Sequence, residues 1–564
     1  LIGGEIMAKI KLELSDWLYN AGIVGIANIF DNSDVKYEKY NSYIEFDESA
    51  LENFEEKYFK YFIHRYEKFT SWYKIISLKD YIKNFDIKSA DEKNLTYING
   101  EIENLKKKLT SNSYKSGYLV ITNKELDLIK EEKKLKKIKL SKDQSVGDVA
   151  DLIIEQFGIM ERIIDYLERD EVKKIILAKN VIYDIIQKFW SDVSFLNKNN
   201  SNNDMYKEYE KYFIEYVKEY INEDKKKSKY SCFTCGNKIS KLSKPEAYDL
   251  TWINKMGVDM SRKSSHYWNF NGDTYICPIC NLVYSCIPAG FTMAKDKGIF
   301  INQNSSASTL IKINKFTLEH NTTLEELEQE SYFNIVGNIN QSQIEQFDKE
   351  IENIQIVKLD SNNQRRPYTF NVLSKDKLQV IYDNKNMLNS LIKIHAKINS
   401  KEYLNLYREV IYRLYNGRNQ FDLINQLFHL KLQDKFNRLL FIEMIIKINN
   451  NFIEGRVKNK MVYNKDINDC KNYGLTLRKA YADKKAENKL SGITYRLLNA
   501  LKTKNTSRFM DTILNAYMYL NKQIPTTFIE GLKDVDKFQT IGYAFLLGLQ
   551  GEEKVNGKEE NLSE

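Results

Sequence analysis

The sequence predicts an α+β protein: a mixed amino-terminal domain carrying an inserted four-cysteine module, followed by a mostly α-helical bundle. Three observations predict it. Residues 8–14 alternate polar and apolar side chains, the period of a half-buried strand, and lead straight into an apolar helical pattern. Two Cys-x-x-Cys pairs stand at Cys232/Cys235 and Cys277/Cys280. From about Ser374 onward the apolar residues recur almost wholly at helical spacing.

Each element follows in order. The first strand is Lys9-Ile10-Lys11-Leu12-Glu13-Leu14, and Ser15 or Asp16 caps a helix running from Trp17 through Ile26. Gly22 and Gly25 each cost that helix about 1 kcal/mol relative to alanine, which predicts close packing against another backbone. A short strand near residues 43–46 and an aromatic-rich helix near 51–69 complete the mixed opening. From Lys106 to Lys142 there are 12 lysines against Glu125, Asp127, Glu131 and Glu132, a local charge of +8 that equals the whole chain's. Leu128, Leu135 and Ile138 are spaced for an amphipathic helix whose basic face carries Lys133, Lys134, Lys136 and Lys137. Such a face is either a solvated lysine surface or an electrostatic guide for a phosphate backbone.

Helical periodicity continues over residues 146–196, a polar break covers 197–203, and a Tyr-rich helix runs to about Asn222. After the cysteines, residues 288–290 and 296–298 read as turns and 299–301 as a strand. Breaks in the carboxy-terminal helices are expected at Asn416-Gly417, at 449–455, at Pro525 and at Gly551. The resulting division is a mixed domain over 1–370, with the cysteine module at about 228–292 inserted, a helical bundle over 371–550, and a flexible polar tail over 551–564.

Composition bounds the function. With 564 residues and 42% apolar content, the chain can bury real cores, and disorder, collagen and coiled-coil compositions are excluded. No apolar run approaches the ~18 residues that span a bilayer, and the amino terminus lacks the apolar core of a secretory signal. The expectation is a soluble, cytoplasmic protein with no membrane partner; residues 1–6, ahead of Met7, carry no structural weight. Lysine, asparagine, isoleucine and tyrosine are abundant, as an AT-rich genome would produce, so lysine count alone is weak evidence of function.

The cysteines carry the sharpest signal. Cys232-Phe-Thr-Cys235-Gly236 and Cys277-Pro278-Ile279-Cys280 are separated by 41 residues. Each knuckle turns two thiolates toward one cation, and two knuckles complete a sulfur tetrahedron around zinc. The gap exceeds the ~15–20 residues of a compact zinc site, so something is inserted, including the aromatic run Tyr267-Trp268-Asn269-Phe270. Disulfides do not suit an intracellular chain. A zinc deaminase requires Pro-Cys-x-x-Cys with an upstream His-x-Glu, whereas here the order is Cys-Pro-x-Cys and His266 precedes Tyr267-Trp268. The reading is a zinc-ribbon-like module with a structural Zn2+ held by Cys232, Cys235, Cys277 and Cys280. Cys286 and Cys470 read as buried free thiols, and His395 and His429 as core histidines. No phosphate-loop, His-Glu-x-x-His or Gly-x-Ser-x-Gly motif is present, so no catalytic residue is assigned.

Arginine placement adds a second signal. Ten of the 14 arginines fall between Arg365 and Arg508. In a lysine-biased chain, retained arginine points to a need for its planar fork. Gln364-Arg365-Arg366-Pro367-Tyr368 is both a plausible domain boundary and a proline-stiffened basic loop suited to phosphate or base-edge contact. Arg408 and Arg413, beside Tyr407 and Tyr412, are a further nucleic-acid candidate, with helix-to-helix salt bridging as the alternative.

Together, these pieces resemble a known family. Ser15-Asp16-Trp17-Leu18-Tyr19-Asn20-Ala21-Gly22-Ile23-Val24-Gly25 is similar to the opening of the zinc-knuckle-bearing large subunit of type I-B CRISPR Cascade surveillance complexes. The segment Cys277-Pro278-Ile279-Cys280-Asn281-Leu282-Val283-Tyr284-Ser285-Cys286-Ile287-Pro288, with Phe291 beyond it, carries the most specific resemblance. Gln364 to Tyr368 and Thr494-Tyr495-Arg496-Leu497-Leu498-Asn499-Ala500-Leu501 also match. The resemblance implies a non-catalytic subunit that binds guide RNA, target DNA duplex and the unwound strand, and reads a short motif beside the target. It further implies contact with the other surveillance-complex subunits, recruitment of a separate helicase–nuclease, and a carboxy-terminal bundle resembling the small subunit. Met387 is one in-frame start for a separately made small subunit. The four cysteines carry over; Arg365, Arg366, Arg408, Arg413 and the basic stretch rest on local chemistry alone. The alternatives are a zinc-dependent nucleic-acid hydrolase and a zinc-ribbon adaptor that binds only protein.

Overall fold

The computed structural model describes residues 8–141, 144–226, 228–258, 274–319, 321–338, 354–399, 402–457, 462 and 464–551. The aromatic run 267–270, His266, residues 1–6 and the tail beyond Gly551 lie outside the described residues. The fold is mixed α+β with small sheets and a helical carboxy-terminal region. Backbone contacts divide the chain into two compact units, Leu1–Ser331 with Gln355–Phe370 and Tyr332–Ile354 with Asn371–Glu564. No helix among the described residues is long and apolar enough to cross a membrane.

In the first unit, strand Lys9–Glu13 pairs antiparallel with Tyr43–Asp47, which pairs in turn with Glu38–Lys39. The register sets Ile10 opposite Phe46 and Leu12 opposite Ile44, so the apolar half of the alternation faces the core. Helix Trp17–Asn32 starts where Asp16 accepts from the N–H groups of Leu18 and Tyr19. It runs six residues beyond the expected Ile26 because Ala27, Ile29 and Phe30 are also core residues. Asn20, wholly buried, donates to Asn302 Oδ1 at 2.8 Å and so ties this helix to strand Lys297–Asn302.

The two glycines answer to a backbone, as their helix cost predicts. A Cβ on Gly22 would lie 2.3 Å from the Val283 carbonyl oxygen, and one on Gly25 would lie 2.0 Å from that of Cys286. The aromatic helix is Phe54–Tyr66, and its tyrosines serve the same segment. Tyr58 donates to Ser285 O at 3.0 Å, Tyr61 to Ala289 O at 3.0 Å and Tyr66 to Phe291 O at 3.4 Å. Carbonyls left over by the short helices Pro278–Ser285 and Ile287–Gly290 are thus satisfied by a row of buried hydroxyls. Residues 288–290 are therefore a helical turn rather than a loop. Strands Thr292–Ala294, Lys297–Asn302, Ile354–Asp360 and Tyr368–Leu373 form a four-stranded sheet in that order.

The basic stretch is not the single helix that its spacing suggests. Helices Glu92–Leu109, Asn112–Val120 and Leu128–Lys134 are separate, and the chain runs on without regular structure from Leu135 to Ser141. The buried side chains of Leu135 and Ile138 anchor that extended run, and Asn99 bonds both the N–H and the C=O of Ile138. Anchoring in an extended chain, rather than helical periodicity, explains why these apolar residues recur.

The second unit is mainly helical but includes a small antiparallel pair, His395–Lys397 with Tyr403–Asn405, after helices Lys375–Asp383 and Lys385–Leu391. His395 is exposed there, not a core histidine, because it lies on the outward side of a two-stranded ribbon around buried Ala396. His429 is half-buried on helix Phe421–Leu432. The expected break at 449–455 does not occur, since helix Leu439–Val457 runs through it. Its buried asparagines each take a partner inside the core: Asn449 accepts from the Gln420 N–H at 2.6 Å and Asn450 donates to Val462 O at 2.9 Å. Helices Asn464–Asp483 and Val535–Leu549 cross at Gly474 and Gly548, where a Cβ would lie 2.1 Å from Phe545 O and 1.8 Å from Lys471 O respectively.

Glu443 ties two of these helices together, accepting from Lys447 at 2.7 Å and from Lys471 at 2.9 Å. Burial pushes its carboxyl upward, yet hydrogen bonds from the two lysines outweigh that and hold it below the ordinary carboxylate range. A depressed folded-state value means that the stabilisation is present above the ordinary pKa and is lost as pH falls through the folded one. Glu443→Gln should therefore lower stability by roughly 1 kcal/mol at neutral pH, after allowance for screening. The difference from wild type should shrink in acid, below about pH 4, when urea midpoints are compared across pH.

Candidate metal centre

The first knuckle grows out of a short hairpin in which Tyr230–Ser231 pairs with Lys238–Ile239. Cys232 N–H donates to Asn237 O at 2.7 Å and Gly236 N–H to Cys232 O at 2.9 Å, closing the turn that holds both thiols on one side. Gly236 has φ +72°, a left-handed backbone that a side chain would strain. The second knuckle begins where Cys277 precedes helix Pro278–Ser285; Pro278 takes the first helical position, where its missing N–H costs nothing. Tyr248 and Ile276 exchange backbone bonds of 3.0 and 2.8 Å, and Phe233 N–H donates to Tyr275 O at 2.9 Å, which brings the knuckles face to face. The insert is therefore anchored, with Tyr248, Leu250, Trp252 and Ile253 buried in the same core.

The four sulfurs converge, all within 4.8 Å of one another. Cys232 Sγ lies 3.7 Å from Cys280 Sγ, and Cys235 Sγ lies 3.6 Å from Cys277 Sγ. A tetrahedron of sulfurs with bonds of ~2.3 Å to a central ion has edges of about 3.8 Å, so the spacing fits a thiolate-bound cation. Disulfide bonding would require about 2.05 Å. Cys232, Cys277 and Cys280 are buried and Cys235 is exposed. Cys277 N–H points to Cys232 Sγ at 3.2 Å, and the Tyr19 hydroxyl lies 3.7 Å from Cys280 Sγ, two dipoles of the kind that steady ligand sulfur. Burial pushes the Cys277 and Cys280 thiols well up, while hydrogen bonds from Cys235, then Cys277 and Cys280, hold Cys232 well down. Holding all four as thiolates in so small a space would take a cation among them, so the cluster could bind a metal ion.

Residues 225–292, which span both knuckles, match the model of a family described as CRISPR-associated protein (Cas_CXXC_CXXC). That segment, and with it the two knuckles, is similar to a CRISPR-associated family with a CXXC–CXXC motif. No curated protein and no solved structure matches the chain at a significant level. The matched segment ends at residue 292, so it includes helices Pro278–Ser285 and Ile287–Gly290 that pack on Gly22 and Gly25. Neither Cys286, which lies within that segment, nor Cys470 joins the sulfur cluster. Cys286 and Cys470 are wholly buried, and burial raises each thiol to about 12.

The nucleic-acid candidates fall at three places. Lys133, Lys134, Lys136 and Lys137 line one groove of about 670 Å³ with Lys139 and Arg162. Lys134 pairs with the buried Glu131, whereas Lys137 pairs with Glu103 on exposed geometry worth little. Arg162 is the residue that the sequence reading passed over; its signal was available, since it is one of only four arginines outside the carboxy-terminal group. Arg365 and Arg366 are exposed on the loop joining Ile354–Asp360 to Tyr368–Leu373. Among the described residues, neither guanidinium pairs with a carboxylate. Arg413 is tied to Glu409 one turn away on its own helix, a pairing within the helix rather than the helix-to-helix bridge weighed as the alternative, whereas Arg408 on the same helix is exposed.

Proposed function

We propose that this chain is the non-catalytic large subunit of a type I-B RNA-guided CRISPR interference complex, working in the cytoplasm. In this reading it binds guide RNA and target DNA, reads a short motif beside the target, and helps recruit a helicase–nuclease. The second unit would stand in for the small subunit. The observation that carries the proposal is the four-sulfur cluster inside a segment similar to a CRISPR-associated family. Cys232, Cys235, Cys277 and Cys280 would hold Zn2+, which, when bound, supplies a cross-link between two knuckles. Protein sulfur would fill all four positions and leave none for a reacting water, which supports a structural rather than hydrolytic role. The surplus of lysine in the groove around Lys133 to Lys139 suits phosphates, while pairing with a guide would choose the sequence.

Co-expression with a guide RNA and the other surveillance-complex subunits should yield one assembly containing this chain. Within it, duplex affinity should fall by decades between 50 and 200 mM salt, as expected for about 6–10 phosphate contacts. Reversing the charge of Lys133, Lys134, Lys136 and Lys137 together should weaken binding about 100-fold at 100 mM salt and flatten the salt slope by about 2–4. Unchanged affinity in that variant would favour the protein-only adaptor.

A further inference from the structure

We propose that Trp17, Tyr368 and Phe370 form a stacking platform for unpaired bases of a single-stranded nucleic acid, with Arg365 and Arg366 holding its phosphates. The proposal rests on the nucleic-acid reading above and adds to it a place and a mode of recognition. The rings rise in series from core to surface. Phe291 is buried against Phe300, and Trp17 meets Phe291 edge-on at 6.4 Å. Trp17 then meets Tyr368 at 5.0 Å and Phe370 at 5.5 Å. Phe370 ends the series 45% exposed. Tyr368 and Phe370 are two apart on one strand, so they share a face of it.

A single exposed phenylalanine needs no explanation. Here, however, it follows by four residues a pair of exposed arginines with no carboxylate partner among the described residues, on a loop that is fixed rather than free. Asn363 Oδ1 accepts from the N–H groups of Arg365 at 3.1 Å and Arg366 at 3.0 Å. Asp360 N–H donates to Pro367 O at 2.8 Å, and Ser361 N–H to Asp296 O at 2.9 Å. Trp17 is equally fixed, as the first residue of a helix capped by Asp16. Rigid rings pay little entropy on binding, and every base offers a flat face to them once it is unstacked. Duplex DNA hides those faces, so the platform suits a single strand. The unpaired guanidiniums supply the charge complementarity that an apolar partner would not use.

The test compares dT20 with heparin, a polyanion without bases, using the full chain and titration of intrinsic tryptophan fluorescence together with a labelled-ligand assay. Phe370→Ala should weaken dT20 binding about 10- to 100-fold, leave heparin binding within twofold, and leave the salt slope unchanged. Phe370→Tyr should restore dT20 binding, which separates stacking from damage to the strand. Arg365→Ala with Arg366→Ala should weaken both ligands and flatten the slope by about 1–2. If Phe370→Ala leaves dT20 affinity within twofold, or lowers dT20 and heparin equally, the platform is overturned while the charge-based reading stands. If the wild-type chain binds neither ligand, both readings fail together.

Discussion

Cys277→Ser should abolish metal binding and unfold much of the amino-terminal unit, rather than merely loosen one ligand. Cys277 is wholly buried and stands at the head of helix Pro278–Ser285, its sulfur 3.6 Å from Cys235 Sγ. A serine there cannot complete a sulfur tetrahedron, and the three remaining thiols would be left crowded in a pocket whose burial disfavours their charge. Structural zinc contributes about 10–16 kcal/mol in isolated fingers, as much as the whole net stability of a typical domain. Expected outcomes are a fall from one metal ion per chain to none by elemental analysis, and loss of the near-ultraviolet signal of buried Trp190 and Trp252. Cys470→Ser supplies the comparison, since Cys470 is just as buried but lies outside the cluster. It should retain one ion per chain. A folded, metal-free Cys277→Ser protein would defeat the assignment.

How much of this was legible beforehand differs by element. The opening strand, the Asp16 cap and the four-cysteine cluster were readable because each depends on local chemistry: a period of two, a side-chain oxygen at a helix start, two thiols per turn. The basic stretch misled because Leu135 and Ile138 are held by long-range packing and by Asn99, which no periodicity count contains. Residues 449–455 misled for the converse reason. Asparagines read as loop formers, yet Asn449 and Asn450 find tertiary partners at Gln420 and Val462 within a helix. Tyr19 escaped notice as a neighbour of the cysteines, since 261 residues separate it from Cys280. Segments 15–25 and 277–290, equally far apart in the chain, prove to be two sides of one helix crossing.

That crossing yields the second large effect. Gly290→Ala should destabilise the amino-terminal unit by at least about 3 kcal/mol, the upper end of overpacking costs, because the obstruction is backbone on both sides. Its Cβ would lie 1.9 Å from Ala21 O and 2.7 Å from Ala21 C, and neither atom belongs to a side chain that can swing away. Gly25→Ala should act alike through Cys286 O at 2.0 Å. Gly100→Ala, in helix Glu92–Leu109 with nothing within 4 Å, should instead stabilise by about 0.4–1 kcal/mol. The decisive consequence concerns metal. Helices Pro278–Ser285 and Ile287–Gly290 are separated by a single residue, so pushing the latter away from helix Trp17–Asn32 shifts Cys277 and Cys280 relative to Cys232 and Cys235. Competition with a chromophoric chelator should therefore show weaker metal retention in Gly290→Ala than in wild type, although no ligand has been altered. Equal retention together with an unchanged melting temperature would mean that the crossing does not hold the knuckles in place.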